Sequence, residues 1–574
     1  MPLLRRCTMS AYSLLLVRPL AVGFSAGALL ALAACSASAP EAEKAASSVP
    51  PQPILADELV AAAPAELTRK RAAPLAGQLA PMPSSVADAA LPGYRDVPRE
   101  QYQNYPDNPV FAVSETPVST FSIDVDTGSY ANVRRFLNGG QLPPKDAVRL
   151  EELVNYFPYA YPLPQGDAPF GVSTELAVTP WNPQTRLLRI AIKASDRSVE
   201  ELPPANLVFL VDVSGSMHRR EGLPMVQGTL KLLVDQLRPQ DRVSLVTYAG
   251  ATQVVLDSTP GSDKAKIRAA IDQLTAGGST AGESGIQLAY QQASKHLIEG
   301  GINRILLATD GDFNVGISDF DSLKQLAADK RKTGVSLTTL GFGVDNYNER
   351  LMEQLADAGN GNYAYIDNLR EARKVLVDQL ASTLATVASD VKLQLEFNPS
   401  EVSEYRLLGY ENRALKREDF SNDKVDAGEI GAGHTVTALY EVVPAGGKGW
   451  LEPLRYQSSA QPAGKSGELA WLRIRYKAPG EASSRLLERP IARNEAKPVA
   501  AASEDLRFAA AVAAFAQQLK DGHYTGDFDL AQSIALARSG KGEDRFGLRG
   551  EFIQLAEIAQ SLHTSGSTPV RVQQ

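Results

Sequence analysis

Asn206-Leu-Val-Phe-Leu-Val-Asp212-Val-Ser214-Gly-Ser216 decides the fold. The unbroken apolar run from Leu207 to Val211 reads as a strand buried on both faces, which is the habit of a parallel sheet covered by helices above and below. Asp212, Ser214 and Ser216 then place three oxygen donors on the loop at the strand's carboxyl end. In an open α/β sheet, that end is where ligands are bound.

Two later segments bring similar chemistry to similar places. Gly277-Gly-Ser-Thr280 sits in a glycine-rich loop, and Arg304-Ile-Leu-Leu-Ala-Thr309 is another apolar run that ends at Asp310-Gly-Asp312. Among them Asp212 and Asp310 offer two carboxylates, and Ser214, Ser216 and Thr280 three hydroxyls, with no imidazole or thiolate among these donors. Hard oxygen donors of this kind suit Mg2+ or Mn2+ rather than zinc or copper. Two acidic ligands leave a divalent cation short of one strong donor, so such a site calls for a carboxylate from outside.

Asp212, Ser214, Ser216, Thr280 and Asp310 match all five positions of the metal-ion-dependent adhesion site of von Willebrand factor A domains, and the central region resembles that family. The resemblance implies a Rossmann-like domain in which the serines and the threonine reach a metal, with the aspartates bonded to it directly or through water. It implies a binding module rather than a catalyst, with the sixth position taken by an acidic group of a partner protein. Ser119-Thr-Phe-Ser-Ile-Asp-Val-Asp-Thr-Gly-Ser-Tyr130 and Pro143-Pro-Lys-Asp-Ala-Val-Arg-Leu-Glu-Glu-Leu-Val-Asn-Tyr156 resemble the N-terminal region of bacterial lipoproteins of this family. Asp390-Val-Lys-Leu-Gln-Leu-Glu-Phe-Asn-Pro399 and Gly428-Glu-Ile-Gly-Ala-Gly-His-Thr-Val-Thr-Ala-Leu-Tyr440 resemble their C-terminal domain. The resemblance covers residues 95 to 563.

The N-terminus bears on location. Arg5 and Arg6 precede an apolar run rich in small residues, which ends at Leu32-Ala-Ala-Cys35. That pattern reads as a signal peptide closed by a lipobox, with Cys35 the residue acylated after cleavage, in preference to a transmembrane anchor, for which the apolar run is short and lacks a basic cluster behind it. The chain has 2 cysteines, and Cys7 would leave with the signal, so the mature chain is expected to hold no disulfide. Ser36 in place of an aspartate points to the outer membrane of a Gram-negative cell, facing the periplasm. From Ser36 to about Ala90 the composition is Ala, Pro and Ser with few aromatics, a tether of some 55 residues with a random-coil reach of roughly 40 Å. Loss of Arg5, Arg6 and Arg18 takes the formal charge from -8 to about -11, and without a dense basic run this excludes nucleic acid as an expected partner.

Six segments follow from this reading: a signal peptide (1–34), lipidated cysteine and tether (35–90), an N-terminal α+β region (91–204), the A domain (205–387), a C-terminal β-then-helical domain (388–563) and a tail (564–574). In the first folded region a helix is expected to open at Pro143-Pro144, with Ala147, Leu150, Val154 and Phe157 on one face. In the A domain, strands at 242–248, 304–309 and 335–341 alternate with helices at 223–237, 283–298 and 320–332. This gives an α/β fold with a mainly parallel sheet and helices on both faces.

Asp124 and Asp126 after an apolar strand resemble the nucleophile motif of haloacid-dehalogenase-like phosphatases, a reading that would make the chain a metal-dependent hydrolase. That motif is short and lacks a matched lysine and second acidic motif, so capping or stabilisation of a strand end is the favoured reading, and the expectation is no enzyme. The surroundings of Ser214 and Ser216 are not those of a hydrolase nucleophile. Asp312 and Asn314 are candidates for holding the ligand loop, and Glu283 for supporting the start of the helix after Thr280. A structural envelope scaffold, with metal used only for stability, is the alternative function.

Overall fold

A computed structural model of the chain describes residues 100–566 apart from 124–125, 167, 280–281, 312–319, 345–346, 453 and 456–466. Four strands precede the Asp212 motif: β1 (Phe111–Ala112), β2 (Val118–Ser122), β3 (Phe170–Thr179) and β4 (Asn182–Ala194). The central unit holds β5 (Ala205–Asp212), β6 (Arg242–Tyr248), β7 (Thr252–Pro260), β8 (Ile302–Thr309), β9 (Ser336–Gly341) and β10 (Tyr363–Tyr365). After it come β11 (Thr386–Phe397), β12 (Val402–Leu408), β13 (Gly428–Gly431), β14 (Thr435–Pro444), β15 (Glu468–Lys477) and β16 (Arg485–Ala492).

β5 is buried along its whole length, as its apolar run requires. It lies at the middle of a six-stranded sheet ordered β10-β9-β8-β5-β6-β7, parallel throughout except for β7. The two-residue period of the strand splits its side chains between two cores. Leu207, Phe209 and Val211 meet Val226, Leu230 and Leu233 of helix Leu223–Gln236. Val208 and Leu210 meet Ile286, Ala289 and Ala293 of helix Gly282–Lys295. Each such side chain, fully buried, contributes about 1.5–3 kcal/mol relative to exposure.

The two flanking regions come together in space. β2 pairs antiparallel with β11, and β4 pairs antiparallel with β14, so residues of 91–204 and 388–563 share both of their sheets. One sheet is ordered β1-β12-β14-β4-β3; the other is β13-β11-β15-β16, with β2 also on β11. Leu188, Ile190, Val436 and Tyr440 of the first face Phe121, Leu393, Leu395 and Leu472 of the second across one core. The two regions are therefore a single β-sandwich, and the A domain is inserted into it between β4 and β11. The described residues belong to one compact unit. Period-2 alternation names the buried face of a strand but not the strand it pairs with, which is why segment-by-segment reading separated them.

Helices cover the outer face of the first sheet. Val133 and Leu137 of helix Gly128–Asn138 join Leu506, Phe508 and Phe515 of helix Glu504–Leu519, with Phe552 of helix Leu548–Gly566, against Leu187, Ala191 and Leu439. The helix expected to open at Pro143-Pro144 is shorter than the spacing suggested. A single 3-10 turn spans Lys145–Ala147, Val148 and Arg149 are extended, and the α-helix runs Leu150–Asn155. Ser129 explains the break, because its hydroxyl donates to the Ala147 carbonyl at 2.7 Å and accepts from the Arg149 amide at 2.9 Å, diverting both groups from a helical ladder. Among the described residues, no helix is long and apolar enough to cross a membrane.

Arg134, 1% exposed, joins the parts. From helix Gly128–Asn138 its guanidinium reaches Asp367 and Glu371 at the exit of the central unit and Glu551 of the C-terminal helix. Truncating one partner of a buried ionic network leaves uncompensated charge, so Arg134→Ala is expected to lower the unfolding free energy by about 3–5 kcal/mol in denaturant titrations. A loss below about 1 kcal/mol would place Arg134 among ordinary surface pairs.

Candidate metal centre

Asp212 ends β5, and its carboxylate is held from three sides. It accepts from the Ser214 amide at 2.8 Å, from the Thr309 hydroxyl at the end of β8 at 2.9 Å, and from the Tyr248 hydroxyl at the end of β6 at 3.2 Å. The parallel register brings these groups together, since Asp212 lies opposite Tyr248 and Val211 opposite Ala308. The Ser214 and Ser216 hydroxyls are 3.0 Å apart. Backbone bonds lock this loop to its neighbour: Gly215 N–H donates to the Gly278 carbonyl at 3.0 Å, and Gly277 N–H to the Val213 carbonyl at 2.7 Å. The glycine-rich loop is thus fixed beside the serines.

Asp310 follows β8 and is 1% exposed. The chain turns immediately after it through Gly311, whose φ of +83° suits glycine, and the Gly311 amide donates to Thr309 Oγ1 at 3.1 Å. Gly343 packs closely against the aspartate, where an added Cβ would lie 3.1 Å from the Asp310 Cβ. Around these buried groups the surface is open. Gly215, His218, Arg219, Arg220, Glu221 and Gly277 through Ser279 are exposed.

The electrostatics of Asp212 are those of an acid in want of a counter-charge. Burial, and after it the charge of Asp310, pushes its carboxyl up to about 6, against the pull of hydrogen bonds from Ser214 and Thr309. Burial and the Asp212 charge push the Tyr248 hydroxyl up as well, so it remains a donor. Two carboxylates and two hydroxyls in one recess make a hard-oxygen set, and a divalent cation would reverse the penalty on Asp212. The residues present therefore fit Mg2+ or Mn2+. Among the described residues no group of three or more His, Cys, Asp or Glu could hold a metal, which leaves hydroxyl donors essential to any cation here.

Asp212, Ser214, Ser216 and Asp310 are gathered at the carboxyl edge of the sheet. Thr280, Asp312, Asn314, Cys35 and Asp124 lie outside the described residues. Glu283 stands in the first turn of helix Gly282–Lys295 and accepts from Gln287 at 3.1 Å. Asp126 is buried, accepting from the Tyr363 amide at 2.8 Å and from Arg413 at 3.4 Å, so it clamps the flank to β10. Tyr248 and Thr309 are the site residues that sequence reasoning passed over. Each closes a strand-like apolar run, and alignment of those strand ends with Asp212 was the available signal.

Residues 96–189 match the family model described as von Willebrand factor, 206–379 that of the von Willebrand factor type A domain, and 382–562 that of the C-terminal region of the uncharacterized protein YfbK. YfbK of Escherichia coli K12 is 52% identical over 471 residues, which are 80% of this chain and 81% of that protein. The uncharacterized protein sll0103 of Synechocystis is 32% identical over 217 residues, covering 37% of this chain and 50% of that one. Among solved structures, a von Willebrand factor type A protein from Catenulispora acidiphila aligns with a TM-score of 0.38 at 16% identity, over 67% of this chain and 90% of its own.

Asp212→Asn keeps the size of the side chain and removes its charge, while the Thr309 and Tyr248 hydroxyls can rotate to match the amide. In metal-free buffer this variant is expected to melt at or above the wild-type temperature. Added Mg2+ or Mn2+ should raise the melting temperature of the wild type alone, and an equal rise in both would remove Asp212 from the metal centre.

Proposed function

The chain belongs to the YfbK family of von Willebrand factor type A domain proteins, and on that footing we propose that it is a membrane-anchored adhesion module that captures a partner protein through a divalent cation. Domains of this type point to protein–protein interaction or adhesion. The observation that carries the finer reading is the Asp212 recess: buried carboxylates and hydroxyls at the carboxyl edge of the sheet, beneath an exposed rim. Asp212, Ser214, Ser216, Thr280 and Asp310 would hold Mg2+ or Mn2+. Bound there, the metal supplies a Lewis-acidic position for an Asp or Glu of the partner.

The residues of the chain do the rest. Thr309, Tyr248 and the Ser214 amide fix the Asp212 carboxylate, so little ordering is left to be done on binding. The bonds from Gly215 and Gly277 hold the loops in register. Nothing in this assembly requires a nucleophile or a general base, and we propose no enzymatic activity. Anchoring follows from Leu32-Ala-Ala-Cys35, with a lipid on Cys35 and the Ala/Pro-rich segment behind it holding the folded unit away from the outer membrane on its periplasmic side.

Affinity capture from envelope extracts with the full chain tests the mechanism. A partner recovered with Mg2+ but lost in metal-free buffer and lost with Asp212→Asn is expected. Equal recovery in all three samples would instead favour a scaffold that uses metal only for stability. For the anchor, Cys35→Ala should shift the chain from the detergent phase to the aqueous phase in detergent partitioning, and retention in the detergent phase would overturn the lipid assignment.

A further inference from the structure

A second cleft, of about 780 Å³, lies where the central unit meets the sandwich and the C-terminal helices. Its size falls within the range of small-molecule sites. Lys193, Arg197, Arg370, Arg373, Lys374 and Arg545 line it, against the two carboxylates Asp196 and Asp378. That excess of positive charge stands out on a chain whose formal charge is -8. Low-dielectric walls bearing one sign of charge focus the field on an oppositely charged ligand.

The cations differ in how far the protein uses them. Lys374 is 4% exposed and committed to Glu371 at 3.2 Å, and Lys193 is paired with Asp196 at 2.9 Å. Arg373 approaches Asp378 only at 3.9 Å and its side chain remains 62% exposed. Among the described residues, Arg197 and Arg545 form no ion pair. Three guanidiniums are thus presented at the rim with donor groups to spare, and guanidinium matches carboxylate and phosphate in two-point hydrogen bonding.

Two further features mark the cleft. The wall that carries Lys374 and Asp378 is a π-helical turn, Lys374–Asp378, closed by the Gln379 amide on the Lys374 carbonyl at 2.8 Å. Such turns sacrifice hydrogen-bond geometry and recur at functional sites. His434, in the turn between β13 and β14, lines the same space, and its buried Nδ1 has no hydrogen-bond partner. Burial and the nearby Lys374 and Lys193 push this imidazole down to about 4, so it stands neutral, with one nitrogen to donate and one to accept. Phe157 and Phe546, the latter 45% exposed, add apolar surface that a bare inorganic ion would not use.

We propose that this cleft binds a small organic polyanion carrying two or more carboxylate or phosphate groups, independently of the metal centre. The test is calorimetric titration of the full chain with citrate and, separately, with inorganic pyrophosphate, in buffer freed of metal by chelating resin. Saturable binding of one molecule per chain is expected for at least one probe, and the tighter of the two identifies the acidic group. Arg373→Ser with Arg545→Ser removes two charge-assisted partners and should weaken that binding about ten-fold or more. Lys266→Ser with Lys332→Ser, exposed cations outside the cleft, and Asp212→Asn should each change it by less than about two-fold. Absence of saturable binding for both probes, or equal affinity in wild type and the double-arginine variant, would overturn the proposal. Melting curves of each variant separate loss of binding from loss of fold.

Discussion

The burial of one guanidinium organises this molecule. Arg134 donates to Asp367, to Glu371 and to Glu551, and to the Tyr156 hydroxyl at 2.8 Å, which itself donates to Glu371 at 2.6 Å. An ion of that size costs several kcal/mol to bury and is tolerated only when nearly every donor is matched. The arginine and its matching groups come from four places in the chain: the first helix, the segment after it, the exit of the central unit and the last helix. No part can shift alone without leaving a charge unpaired. Packing supplies most of the favourable free energy, as elsewhere, but the network specifies which surfaces meet.

The same logic explains how a domain can be inserted into a β-sandwich and leave its binding edge free. Helix Gly128–Asn138 packs on β10 so closely that a Cβ at Gly128 would lie 2.2 Å from the Tyr363 ring. Asp126 holds the Tyr363 amide, and Arg413 from the C-terminal region reaches Asp126, Glu353 and Asp357. The exit segment runs through Ala372, Leu376 and Leu380 into the shared core. All of these contacts engage the β10 edge and one face of the sheet. The carboxyl ends of β5 and β8 are not among them, and of the described loop residues around Asp212, Gly215, His218 to Glu221 and Gly277 to Ser279 are exposed.

Much of the central unit was legible because buried parallel strands declare themselves as continuous apolar runs: Arg242–Tyr248 was found at its full length, and Ser336–Gly341 and Leu223–Gln236 within a residue of their ends. The edge strands were not. β10 is only Tyr363–Tyr365, and β7 alternates too weakly to stand out. The sandwich was illegible for a different reason, since Leu393 pairs with Phe121 across 272 residues of sequence and no local pattern encodes a partner at that distance. Arg134 was hidden in plain view beside Arg135, where a paired arginine on a helix reads as a solvated face. At the candidate metal centre Asp212, Ser214, Ser216 and Asp310 sit within a few residues of the ends of β5 and β8, which the apolar runs had located. The groups that orient them, Tyr248 and Thr309, depend on register and came only with the structure.

Charge compensation inside the fold gives the Asp212 recess its meaning. Several of the carboxylates that this protein buries are matched by an arginine: Arg134 for Asp367 and Glu371, Arg413 for Asp126 and Glu353, Arg406 for Glu441 at 2.9 Å. Asp212 is as deeply buried as any of these, at 0% exposed, yet among the described residues it has hydrogen bonds and no ion-pair partner. Its neighbour Asp310 adds a second negative charge to the same recess. A neutral side chain or a nearby base at the position would cost less than a buried carboxylate held by hydrogen bonds alone. On the proposed reading, an acid kept in this state at an exposed edge is matched by a counter-ion from outside, to which the hydroxyls of Ser214 and Ser216 beside it would offer oxygen donors.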